Sequence, residues 1–257
     1  MHPISPFTIG GMREIQSNAS AGARSTAIAA ICWILAGIVY LLAEAITASA
    51  FPHYSYAMNY ISDLGVPDVE TLGNRAIDSP LHMVINIAFV AQGLMFAAGS
   101  ICMVRGSRLP LRLPIIIFAF FHALGMVLIA VVNGGQHNNE LGLGWVHLLG
   151  ALFAFLGGHL TAICVGASLL SRRRSSPDRA SRLIGVMSLV IGLIGILGIV
   201  MLQIDVRAVP RTVLPDGVWE RIGMYAIIVW EIGYGAVLLS RLRTHTALLD
   251  RSTTALN

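Results

Sequence analysis

Apolar residues run through this chain in six blocks separated by short polar stretches, at roughly residues 27–49, 81–103, 113–133, 145–170, 183–204 and 217–240. A helix needs about 20 mainly apolar residues to cross the hydrocarbon of a bilayer, so each block predicts one membrane span. The pattern predicts an all-α protein, a polytopic six-helix transmembrane bundle over residues 27–242. The longest polar stretch, about residues 50–80, is too short for a soluble domain. Residues 1–26 and 243–257 flank the bundle and read as mobile tails, the first rich in Ser, Gly and Ala with little periodicity.

Composition supports this reading. The chain is 56% hydrophobic and 12% charged, with a mean hydropathy of +0.75. Soluble domains carry about twice that charged fraction, which argues against a soluble globular protein, a disordered chain or a nucleic-acid-binding module. The net charge of +4 comes from Arg alone, since none of the 17 basic side chains is Lys. Thirteen of those Arg fall on one side of the six-span topology, and only Arg75, Arg207, Arg211 and Arg221 fall on the other. Cytoplasmic loops collect positive charge, so both tails are expected in the cytoplasm. Ala48-Ser49-Ala50 has the look of a signal cleavage site, but the apolar run before it is too long for a signal peptide. Cys32, Cys102 and Cys164 sit in or beside apolar runs without a CxxC pattern, so they read as buried hydrophobes.

Spans in lipid associate through close backbone approach and interhelical hydrogen bonds. Span five carries a ridge of small residues, Gly185, Ser188, Gly192, Gly195 and Gly198, and span four carries Gly150, Ala151, Ala154, Gly157 and Gly158. The span-five ridge is also a possible contact for a homo- or hetero-oligomer. Asp78-Ser79-Pro80 predicts a cap and a first-turn proline opening span two.

Polar side chains at membrane depth are costly, and each is a functional candidate. One group falls at the outer ends of the spans: Glu44, then Asn59, Ser62 and Asp63 in the first outer loop, His82 and Asn86 opening span two, His147 opening span four, and Glu220 and Arg221 opening span six. Asn133, His137 and Glu140 lie in the next outer loop. Together they predict an outward-facing polar pocket, although helix ends are wet and polar residues there also have a purely interfacial reading. The aromatics Phe51, Tyr54, Tyr56 and Tyr60 read as an interfacial belt. A second group, His122, His159 and Glu231, falls near the midplane, where a His–Glu pair can hold or relay a proton. Glu220 and Glu231 share a face of span six. For each His alone, a bond that fixes helix packing is the plainer reading.

No cofactor is predicted. His82, His137 and His147 with Asp63 have no diagnostic metal spacing, and there is no GxSxG, Walker loop or GxGxxG fingerprint.

Four runs carry a family likeness: Asn59 to Gly65; Asn86, Phe89 and Gly93; His147, Gly150, Ala151, Phe155 and Gly158; and Gly217 to Arg221. In these the chain resembles the bacterial membrane proteins grouped as domain of unknown function 998, over about residues 25–242. It departs from that pattern after span three, where Asn133 to His137 stands in place of a Phe-Pro-x-Asp-like run. The run Ser62-Asp63-x-Gly65 is also similar to one in the Frag1/DRAM/Sfk1 proteins, six-span proteins linked to lipid handling. The resemblance implies six spans and a bacterial inner membrane, and no activity. The residues themselves lead to the expectation of a lipid or amphipathic small molecule bound in the outer pocket. Asn59, Asp63 and Glu220 would hold its head group, Arg221 its phosphate or carboxylate, and His82 and His147 would donate hydrogen bonds. The alternatives are a proton-coupled transporter using His122, His159 and Glu231, and an intramembrane or interfacial hydrolase.

Overall fold

The structure, a computed structural model, describes residues 6–73, 75–171, 179–207 and 213–254. Arg172, Arg173, Arg174 and Arg211, used above in the charge count, lie outside the described residues.

Among the described residues, six helices are long and apolar enough to cross a membrane. They are α1 (Pro6–Ala50), α2 (His82–Gly106), α3 (Arg112–Val131), α5 (Gly144–Leu170), α6 (Arg179–Asp205) and α7 (Asp216–Thr254), with a short α4 (Gln136–Glu140) between α3 and α5. The protein is a multi-pass membrane protein. Its first and last helices run beyond the predicted spans, into the segments read from sequence as tails.

The helices close into a ring. Each packs on the next long helix in chain order, and α1 packs on α7 to complete the circle. Neighbours run antiparallel: Gly106 near the end of α2 approaches Gly22 and Thr26 near the start of α1. At one end of the ring, residues 51–81 fold over the helices, and this is called the loop end below. That segment contains a 3-10 turn (Ser62–Gly65) and a hairpin of β1 (Glu70–Leu72) with β2 (Arg75–Ile77), paired Glu70 to Ile77 and Leu72 to Arg75. Gly73 has φ +64°, a left-handed conformation that glycine adopts without steric cost, and so it fits the hairpin turn.

Side chains that face outward along α1, such as Ile31, Leu35, Leu42 and Ile46, are exposed and apolar, as a lipid-facing surface requires. Inside the ring, small residues set the helix spacing. A methyl at Gly157 would lie 2.4 Å from the His122 backbone nitrogen, and one at Gly125 2.2 Å from that of Ala154, so α3 and α5 touch backbone to backbone. The small-residue ridge of span five faces its own chain. Gly185 meets Leu170 of α5, Gly198 meets Ile222 of α7, and the whole ridge is buried. Span two opens differently from the capped start predicted. Helix α2 begins at His82 without a side-chain cap, because Ser79 Oγ instead donates to the Leu64 carbonyl at 2.6 Å and ties the loop to the 3-10 turn.

Substituting Gly157→Val should force α3 from α5, at a cost of about 1–3 kcal/mol or more, seen as a lower unfolding midpoint in mild detergent. Gly233→Ala, where no atom lies within 4 Å of the added carbon, should leave the midpoint equal or higher, since Ala is the better helix former.

Candidate functional site

The loop end is organised by two buried charges. Arg221, one turn into α7, is 7% exposed and Asp63, in the 3-10 turn, is 2% exposed, so both need partners. Arg221 has them on all three guanidinium nitrogens. Its Nε and one Nη reach Glu44 Oε1 of α1 at 3.2 and 3.1 Å. The other Nη donates to the backbone carbonyls of Tyr56, Asn59 and Gly217 at 2.6, 2.9 and 3.1 Å. The Nη facing Glu44 also donates to the Tyr54 hydroxyl. Tyr225 donates to the second Glu44 oxygen at 3.1 Å. One guanidinium thus pins the loop to both α1 and α7.

Asp63 does the same for the middle of the loop. Arg75 of β2 grips it through Nε at 2.8 Å and Nη2 at 3.2 Å. The Asn59 amide and the Tyr60 backbone N–H donate to it at 3.2 and 3.1 Å. Arg75 lies 4.3 Å from the Tyr60 ring centre, a cation–π arrangement, while the Tyr60 hydroxyl donates to Asp216 at 3.0 Å. Glu220 accepts the Ile61 backbone N–H, at the entry to the 3-10 turn. On the far side of the hairpin, the Glu70 carboxylate accepts the N–H groups of Gln136 and His137 at the start of α4, at 2.5 and 3.4 Å.

This environment shifts the loop's titrating groups. Burial pushes the Tyr60 phenol well up, helped by the negative charge and hydrogen bond of Asp216. Burial likewise raises the Tyr54 phenol, against the opposing charge of Arg221. For Arg75 burial works in the lowering direction, but the hydrogen bond and charge of Asp63 outweigh it and hold the guanidinium above its ordinary range.

The residues expected to form an outer pocket therefore meet, but mostly in contact with each other. Glu44, Asn59, Asp63, Glu220 and Arg221 belong to one connected clamp. Asn86 donates to the Gly65 carbonyl at 2.9 Å, His82 Nδ1 sits 3.1 Å from the Ser79 carbonyl, and His147 Nδ1 sits 2.9 Å from that of Val132. Ser62 and His147 line a small cavity of about 30 Å³ beneath the 3-10 turn, with Glu220, Tyr40, Met126 and Ala154. Above the clamp lies a larger open cleft of about 950 Å³, between residues 51–59, the hairpin and the start of α7. Phe51, Met58, Val69 and Leu214 give it apolar walls, and His53, Glu70, Arg75 and Asp78 give it polar ones. Among the described residues no group of three or more His, Cys, Asp or Glu could hold a metal ion.

At the bundle centre the predicted trio divides. His122 and Glu231 are both fully buried and are joined through Gln92 of α2, which sequence reading passed over. Gln92 Nε2 lies 3.3 and 3.2 Å from the two Glu231 oxygens, and its Oε1 lies 2.9 Å from His122 Nε2. His122 Nδ1 lies 2.6 Å from the Ala154 carbonyl. His159 stands apart, its ring seated in the notch left by Gly195 of α6, with no partner for Nε2 among the described residues.

Removing the clamp's centre should be costly. Arg221→Ala leaves Glu44 buried without its charge partner, and about 3–5 kcal/mol of stability should be lost. Arg221→Lys should recover only part, because an ammonium cannot make the planar fork. Denaturant unfolding in detergent reads both, and an unchanged midpoint in Arg221→Ala would refute the clamp. In ultraviolet titration, Tyr54 and Tyr60 should stay protonated beyond about pH 10, where a phenol free in water ionises. The folded state then holds protons that the unfolded chain releases, so stability should fall as pH rises beyond about 10.

A family model described as a protein of unknown function, DUF998, matches residues 34–237. No curated protein and no solved structure matches the chain. The matched stretch takes in nearly all of the six-helix ring and the clamped loop, and the chain belongs to the DUF998 family.

Proposed function

We propose that the protein binds a lipid or amphipathic small molecule in the cleft at the loop end, and that this end faces away from the cytoplasm. The observation that carries the reading is the cleft itself, which a web of buried ion pairs holds open at the end of a membrane bundle. Apolar side chains stand exposed in it, with Val69 79% and Met58 55% accessible. Binding sites for small molecules are mostly apolar with a few placed polar groups, and a mixed lining at the membrane surface suits an amphiphile. The clamp residues act as the cleft's frame. Every guanidinium nitrogen of Arg221 is already engaged, so the head group falls to Arg75, Glu70 and His53 at the cleft wall. The outward orientation rests on the Arg asymmetry between the two ends, and it puts both termini in the cytoplasm. The resemblance to bacterial proteins makes the inner membrane of a bacterium the compartment proposed.

Native mass spectrometry of the full chain, taken from phospholipid vesicles into mild detergent, should show one amphiphile retained per chain. The double variant Met58→Asp with Val69→Asp alters only exposed side chains, so it should keep its unfolding midpoint and lose retention at least tenfold. Equal retention in both proteins would count against the cleft, and a stoichiometric metal ion would turn the reading toward hydrolysis. A phosphatase reporter that works only outside the cytoplasm should be silent when fused after residue 257. Activity there would invert the orientation.

A further inference from the structure

Hydrogen-bond chemistry at the bundle centre constrains how many protons it holds. His122 Nδ1 faces a carbonyl oxygen, which only accepts, so Nδ1 carries hydrogen. The other ring nitrogen faces one end of the Gln92 amide, and the amide's other end faces the Glu231 carboxyl. The two ends of an amide have nearly the same shape, so Gln92 fits either way round. With its oxygen toward His122, that ring nitrogen must also carry hydrogen, the ring is an imidazolium, and the amide N–H donates to an ionised Glu231. With its nitrogen toward His122, the ring is neutral and accepts, and the amide oxygen needs a donor, which Glu231 supplies only as a carboxylic acid. Without any shared proton, each orientation sets two acceptors face to face at about 3 Å, buried from water. The cost of such unmade bonds in a fully buried site is high.

We propose that Glu231, Gln92 and His122 form a proton-binding site at the centre of the membrane bundle, in which one proton moves between Glu231 and His122 as the Gln92 amide turns over. In the move the O–H bond of Glu231 breaks and an N–H bond forms at His122 Nε2. No proton is gained or lost by the trio, and its net charge stays zero in both forms. That neutrality suits a site whose three side chains are 0% exposed.

The surroundings fit a guarded proton site. From α1, Gly37 faces Glu231, where a methyl would lie 3.1 Å from Oε1, and Tyr40 stands one turn further toward the loop end. From α5, His159 is the neighbouring titratable group, and Gly158 leaves room for His122. On α7 itself, Glu220 is the next acid toward the loop end. The side away from the loop is closed by rings: Phe96 packs 4.4 Å from His122, and Trp33, Trp230 and Tyr234 pack behind it. On the loop side the small cavity reaches from Glu220 to Ala154, whose carbonyl holds His122. Its volume of about 30 Å³ is enough for one water-sized carrier.

The test uses the full chain in lipid nanodiscs with nitrogen-15 histidine. The His122 signals are assigned by their loss in His122→Gln and the Glu231 carboxyl band by its loss in Glu231→Gln. Two exchanging ring forms are expected, neutral with Nδ1 protonated and doubly protonated, with the carboxylic-acid band falling as the imidazolium signal grows. In Glu231→Gln, whose amide donates a hydrogen bond but no proton, only the neutral ring should remain. An ionised Glu231 beside a neutral His122 would overturn the proposal. A single ring form at every temperature would overturn it too, leaving a fixed packing bond.

Discussion

The fold at the loop end depends on a single buried guanidinium. A charge taken out of water is tolerated only when every donor is matched, and Arg221 needs more acceptors than α7 can offer. It draws them from α1 and from three backbone carbonyls, two of them in the loop after α1. This need turns the connection over residues 51–81 into a fixed surface. Asp63 repeats the logic with the sign reversed, collecting donors from the loop and from β2. Because Glu220 precedes Arg221 and accepts the Ile61 N–H, the first turn of α7 reads the loop with both an acid and a base.

Close helix packing makes the rest possible. In lipid, helices gain nothing by hiding apolar surface from one another, so the ring is held by backbone proximity and by polar contacts that can be satisfied only inside it. The glycines of α3, α5 and α6 bring the backbones near enough for His122 to reach a carbonyl of α5. Trp230 of α7 donates to Ser188 of α6 at 2.9 Å, and Trp33 of α1 donates to the Phe96 carbonyl of α2 at 3.2 Å. Each bond joins two neighbours in the ring, so helix order and side-chain pairing support one another.

The spans were legible in the sequence because a membrane helix is a one-dimensional signal: 20 apolar residues are enough, whatever the partners. The site was legible only as a set of depths. Counting rise per residue puts His122 and Glu231 at one level, where Gln92 bridges them, but rise gives no rotation about the ring, and His159 faces α6 instead. Gln92 was missed because a search for ionisable side chains skips a neutral amide, although an amide in the middle of an apolar span is costly for the same reason. Arg75 was counted as a topological charge, while its partner Asp63 lay 12 residues earlier across a hairpin that no apolar alternation announced. The tyrosines read as an interfacial belt are largely ligands of the two guanidiniums, a role fixed by pairings far apart in the chain.

Two polar layers thus lie inside one apolar bundle, and the spacing between them matters. Glu220 and Glu231 are 11 residues apart on α7, or about 16 Å along the axis. At the upper layer solvent is near, and charges can be fixed permanently by many short bonds. At the lower layer Glu231, Gln92 and His122 are fully buried and, among the described residues, pair with one another and with the Ala154 carbonyl, so charge is tolerated only as a neutral sum. Met224, Ile227 and Tyr40, all buried, separate the layers. A rigid frame above and a net-neutral, rearrangeable group below are what the different dielectric surroundings of the two depths select. The same helix, α7, supplies an acid to each.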